Sequence, residues 1–120
     1  MGGTLTLCRL DDVEVGAARG FVVEGFRRKV VVVRREDGVF GWLDSCPHYE
    51  GGTPMAWRTD RYLNGDGTFI ACHSHGALFD IATGECVLGP CLGQRLTPVP
   101  VRVGPGGDIE LVIQGEEKAA

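Results

Sequence analysis

The chain has 120 residues, a hydrophobic content of 43 % and a formal net charge of −4. That length suits one domain with one core, and that composition suits a folded chain rather than a disordered one. The acidic balance argues against nucleic acid as the main partner, because phosphate neutralisation needs a basic face, and no run of about 18 apolar residues is present to span a membrane.

Taken in order, Thr4 to Arg9 alternates as a strand would, with Leu5 and Leu7 on one face and Cys8 on the other. Asp11 to Gly16 is a polar link, and Gly20-Phe21-Val22-Val23 starts a second short strand. Gly25 and the basic run Arg27-Arg28-Lys29 mark a turn, read either as a solvated turn or as a docking patch for an acidic partner. Val30 to Val33 is β-branched throughout and reads as a buried strand. Glu36-Asp37-Gly38 is a hairpin signal, and Val39 to Leu43 returns antiparallel into Asp44-Ser45-Cys46. Residues 49–68 read as loop. Thr68 to Ala71 is a strand running into Cys72, Leu78-Phe79-Asp80 leads away from it, and Thr83-Gly84-Glu85 turns the chain, with Asp80 bonding that turn. Gly89-Pro90 marks a further loop. Leu96 to Val103 alternates but carries two prolines, which suggests an edge strand. Ile109 to Ile113 is the closing strand. Nineteen glycines fit many tight turns. The pattern predicts an all-β, antiparallel fold of eight to ten short strands with little or no helix. The domain is expected over 1–115, with a polar tail at 116–120.

Chemistry-bearing residues gather in two clusters. Cys46-Pro47-His48 and Cys72-His73-Ser74-His75 hold all three histidines and two of the five cysteines. An odd cysteine count with no export-signal pattern fits a cytoplasmic chain whose thiols bind metal rather than pair as disulfides. Each cluster follows an extended segment and sits on a loop. Gly51, Gly52 and Gly76 flank the clusters, where glycine lets backbone N–H groups approach an anionic group. Two Cys and two His are also a tetrahedral zinc set, so a structural zinc module is an alternative at this level.

The ordered series Cys46-Pro47-His48, Cys72-x-x-His75-Gly76-Ala77-x-Phe79-Asp80, Thr83-Gly84 and Gly89-Pro90 resembles the Rieske [2Fe–2S] proteins, and among them the soluble ferredoxin type. The resemblance implies an antiparallel β-sandwich with a small cluster-binding subdomain at about 44–92. It implies one [2Fe–2S] cluster, with Cys46 and Cys72 on one iron and His48 and His75 on the other. His73 falls outside that frame, as a surface or neighbouring residue. High-potential relatives carry a disulfide between the two loops, at positions held here by Gly51 and Ser74. They also carry Ser and Tyr hydroxyls bonded to sulfur, at positions held here by Ala77 and Phe79. Rieske centres span roughly −150 to +300 mV, and the missing donors place this one near the lower limit. Pro90 belongs to the family's loop over the cluster. Cys8, Cys86 and Cys91 read as ordinary reduced thiols, although a Cys86–Cys91 bridge remains open.

The function that follows is electron transfer, from a flavin reductase to a terminal oxygenase, with no catalytic site in the chain itself. The alternative is an accessory subunit of a larger oxidoreductase, similar to nitrite-reductase small subunits. Residues 49–71 form a longer spacing than compact ferredoxins have. This segment is either a partner-docking loop or a longer hairpin packed on the basal sheet.

Overall fold

The computed structural model describes residues 2–26, 28–36, 38–45, 55, 62–64, 67–72, 76–89 and 92–114. Among them are nine strands and one short 3-10 turn, Leu10–Asp12. The strands are β1 (Gly2–Arg9), β2 (Ala17–Phe21), β3 (Val30–Arg35), β4 (Gly38–Leu43), β5 (Phe69–Cys72), β6 (Ala77–Asp80), β7 (Cys86–Leu88), β8 (Val101–Val103) and β9 (Asp108–Gln114). They form three antiparallel sheets of three strands, in the orders β1-β9-β8, β2-β3-β4 and β5-β6-β7.

The valine run explains how the sheets stack. Val30, Val31, Val32 and Val33 are all fully buried, yet alternate residues of a strand face opposite ways. Val31 and Val33 join a core with Trp42, Tyr62, Ile70, Phe79 and Ile81. Val30 and Val32 join a second core with Leu43, Val99, Ile109 and Leu111. The β2-β3-β4 sheet therefore has apolar cover on both faces, which is why no polar residue alternates within the run. The β3–β4 hairpin forms as its turn signal predicts, but it pairs Val30 with Leu43 and Arg35 with Gly38, so Gly38 belongs to the ladder rather than to the turn; Asp37 itself lies outside the described residues.

Three sequence expectations need correction. In β1 the pairing shifts between Thr6 and Cys8, so that Cys8 faces Ile109. This bulge brings Leu7 and Cys8 both against the second core while Leu5 stays 42 % exposed, which plain alternation does not allow. The second strand ends at Phe21, and Val22 is 83 % exposed beyond it. The stretch 96–103 is not one edge strand. Leu43 N–H donates to Thr97 O at 2.9 Å and Val99 N–H to Gly41 O at 3.0 Å, and Trp42 bridges Pro98. Only Val101–Val103 forms a strand, at the edge of the other sheet. The two prolines interrupt the ladder where the chain passes from one sheet to the next.

Gly84 shows how tightly the first core closes. Its φ is +75, and a Cβ there would lie 2.6 Å from the Trp42 ring. Trp42 Nε1–H donates to Ile81 O at 2.9 Å, so the ring cannot swing away without losing a buried hydrogen bond. Gly84→Ala is expected to cost roughly 2–4 kcal/mol, combining left-handed backbone strain with overpacking; urea unfolding of the two proteins measures it.

Cys8 carries a separate expectation. Burial and the Asp12 charge push its thiol above the ordinary value of 9.0, with Asp108 adding to this and Arg19 opposing it. The folded chain therefore holds this proton more tightly than the unfolded chain does. The resulting stability is complete below pH 9.0 and is lost as pH rises through the higher folded value. Urea midpoints taken upward from pH 9 should fall, and Cys8→Ala should flatten the fall.

Candidate metal centre

Cys72 is the one expected ligand among the described residues. It is the last residue of β5, fully buried, and pairs with Ala77 at the start of β6. Its carbonyl accepts the Gly76 N–H at 2.8 Å. Gly76 has a φ of +72, a conformation that glycine takes at no steric cost. The β5–β6 hairpin is thus closed by the Cys72–Gly76 bond. Cys46, His48 and His75 lie outside the described residues, as do Gly51, Ser74, Pro90, His73 and Cys91.

Ala77 and Phe79, expected beside the cluster, are both fully buried. Phe79 pairs with Ile70 on one side and Cys86 on the other. Neither carries a hydroxyl, so neither donates a side-chain hydrogen bond to a nearby sulfur. Cys86 is a buried free thiol whose Sγ–H donates to Leu88 O at 3.3 Å, and Cys8 is a half-buried free thiol. The plain reading of both thiols stands. Asp80 accepts Thr83 N–H at 2.9 Å and Thr83 Oγ1–H at 3.0 Å, the turn-bonding role its sequence context suggests.

Two further segments approach the Cys72 hairpin. A Cβ on Gly89 would lie 2.8 Å from Ala77 Cα, so the root of the proline loop rests directly on the first residue of β6. The end of β4 approaches through a carboxylate. Asp44 is 5 % exposed, the buried charged residue among those described. Its Oδ1 accepts the Met55 N–H at 2.7 Å and its Oδ2 accepts the Tyr62 hydroxyl at 3.3 Å. Burial pushes its carboxyl up, against the pull of those two donors and of the Lys29 and Arg28 charges. Tyr62 O in turn accepts the Ala71 N–H at 2.8 Å, one residue before Cys72. Met55 and Tyr62 are 0 % and 2 % exposed in the first core. Within 49–71, Met55 and Tyr62 are thus packed in the first core, and the rest of the Trp57–Tyr62 stretch lies outside the described residues.

The roots of all three expected loops, at Asp44, Cys72 and Gly89, thus share one end of the first core. A thiol buried among apolar side chains resists ionisation unless a cation neutralises it, and a thiolate-binding iron does so. Of the four expected ligands the described residues include Cys72 alone, a buried thiol at a strand end of the kind an iron could take. Asp44 and Tyr62 were not singled out in the sequence, whereas Gly89 was, as part of Gly89-Pro90. The one signal was a charge directly after the apolar run Val39 to Leu43, where a strand end offers no reason for its burial.

Compared with protein-family models, residues 3–104 match the Rieske [2Fe-2S] domain. No curated protein matches the chain. Among solved structures, the ferredoxin of Sphingomonas yanoikuyae B1 is 27 % identical, with a TM-score of 0.72, covering 93 % of this chain and 99 % of that one. The ferredoxin of carbazole 1,9a-dioxygenase from Nocardioides aromaticivorans IC177 is 25 % identical, with a TM-score of 0.70, covering 90 % and 95 %. A chain assigned as the small subunit of an NADH-dependent nitrite reductase from Mycobacterium tuberculosis is 22 % identical, with a TM-score of 0.70, covering 96 % and 98 %; that likeness concerns the fold alone.

Proposed function

Because the chain belongs to the Rieske [2Fe-2S] domain family, we propose that it is an electron carrier and that Cys46, His48, Cys72 and His75 hold its cluster. The cluster supplies, when bound, a site for one electron at a potential above that of four-cysteine ferredoxins, because two neutral imidazoles replace two thiolates. The chain's own residues fix two hairpin ends around it, bury Cys72 and leave Ala77 and Phe79 without hydroxyl donors. The electron comes from a flavin reductase and passes to a terminal oxygenase. The observation that carries this reading is likeness across nearly the whole chain to ferredoxins, one of them the ferredoxin of a dioxygenase. Among the described residues no helix is long and apolar enough to cross a membrane.

Reductive titration tests this function. The purified chain should take up one electron, bleach in step with it, and return to the oxidised spectrum when an aromatic-ring dioxygenase is added as acceptor. Uptake with no transfer to any acceptor protein would contradict the carrier role. A colourless chain holding stoichiometric zinc would contradict the cluster.

A further inference from the structure

We propose that Asp44 and Tyr62 are positioning residues that hold the two ligand-bearing strand ends in fixed register. The proposal rests on the ligand assignment given above. Asp44 stands two residues before Cys46, and Ala71 stands one residue before Cys72. β4 and β5 belong to different sheets, so no strand ladder sets the distance between their ends. Tyr62 spans that gap with both of its polar ends. Its hydroxyl donates to Asp44 Oδ2 at 3.3 Å, and its carbonyl accepts from Ala71 N–H at 2.8 Å.

Each part of this strut is itself held. The second carboxylate oxygen of Asp44 takes the Met55 N–H, and Asp44 N–H donates to Lys29 O at 2.9 Å. The carboxylate is thus tied to Met55 as well as to the tyrosine, and the Asp44 backbone to Lys29, the residue before β3. Asn64 Oδ1 accepts the N–H groups of both Thr68 and Phe69 at 2.9 Å, and Leu63 bridges Ile70. That turn sets which residue of β5 faces Tyr62. Gly20, on β2, completes the seat: a Cβ there would collide with the Tyr62 hydroxyl and ring. The bare backbone lets the ring reach the carboxylate.

A cluster bridging two loops is retained only while both ligand pairs stay at bonding distance together. Loosening the strut lets the pairs move apart independently. A hydrogen bond to a buried carboxylate is strong enough for its loss to change an opening equilibrium by roughly tenfold or more.

The experiment uses the cluster-loaded chain. Tyr62→Phe removes one hydroxyl and keeps the ring, so the core stays filled. Gly20→Ala attacks the same strut from the sheet side. Ile109→Val, in the second core, serves as a destabilised comparison that leaves the Asp44–Tyr62–Ala71 hydrogen bonds in place. Two quantities are read: the rate of iron loss to a chelator, and the width of the EPR lines of the reduced cluster. Tyr62→Phe and Gly20→Ala should lose iron roughly tenfold faster and show broadened lines, with Ile109→Val matching wild type in both. Wild-type behaviour in Tyr62→Phe, or equal loss in Ile109→Val, would overturn the proposal alone. A wild-type chain holding no iron and sulfide would overturn the ligand assignment and the proposal with it.

Discussion

Cys72→Ala is expected to yield a colourless chain with almost no iron or acid-labile sulfide. The thiol it removes is fully buried at the end of β5, and the other described cysteines, Cys8 and Cys86, lie outside the two Cys/His clusters. Cys86 is buried too, but it lies on β7 and its thiol donates to Leu88 O. Cys86→Ala should therefore keep full loading, and it is the matched comparison: the same atoms deleted, in the same core, without loss of a ligand. Alanine at position 72 removes little volume, so the fold should persist and unfold cooperatively. It should nevertheless unfold at a lower temperature, because a group bound only by the folded chain adds its binding free energy to stability. Iron and sulfide analysis of the two variants, alongside thermal unfolding, checks each part.

The second large effect concerns potential. The wild-type midpoint should lie near the lower end of the Rieske range, roughly −150 mV. Ala77 and Phe79 are the reason, since a hydroxyl donating to a cluster sulfur stabilises the reduced, more negative form. Ala77→Ser with Phe79→Tyr should raise the midpoint. On the order of 60 mV per hydroxyl is expected, the one-electron equivalent of a tenfold shift in the equilibrium. The change has a structural cost. Both positions are fully buried, and the Gly89 backbone lies against Ala77, so overpacking of roughly 1–3 kcal/mol accompanies the new oxygens. Urea unfolding separates that cost from the redox effect. A wild-type midpoint in the upper half of the range, or a double variant that shifts it downward, would contradict the low-potential reading.

Much of the fold is legible in the sequence where local pattern and tertiary environment agree. The Val30–Val33 run and the Glu36-Asp37-Gly38 signal sufficed for the existence of the central hairpin, though not for its register, since Gly38 pairs with Arg35 inside the ladder. Asp80 likewise announced its turn through Thr83 and Gly84. The pattern failed where the structure breaks its own period. The bulge after Thr6 turns both Leu7 and Cys8 to the core, and 96–103 divides between two sheets around its prolines. The bulge has no residue-level signature distinct from ordinary alternation, and Pro98 and Pro100 marked the second break without saying that the chain changes sheet there. The metal centre divides the same way. The Cys and His spacing, with Gly76 and the Ala77-x-Phe79-Asp80 series after it, was enough to point to the family whose model matches residues 3–104. Asp44 and Tyr62 were not readable, since their bond joins residues 18 apart in the chain and exists only once β4 and β5 are packed.

The central claim is mixed Cys and His ligation of one [2Fe–2S] cluster, and the chain's three histidines make it directly measurable. Pulsed EPR of the dithionite-reduced protein, carrying 15N-labelled histidine, should show two iron-coordinated nitrogens, both retained in His73→Ala and one lost in either His48→Ala or His75→Ala if any cluster remains. A reduced cluster with no coupled histidine nitrogen, or one whose coupling disappears with His73, would contradict the account.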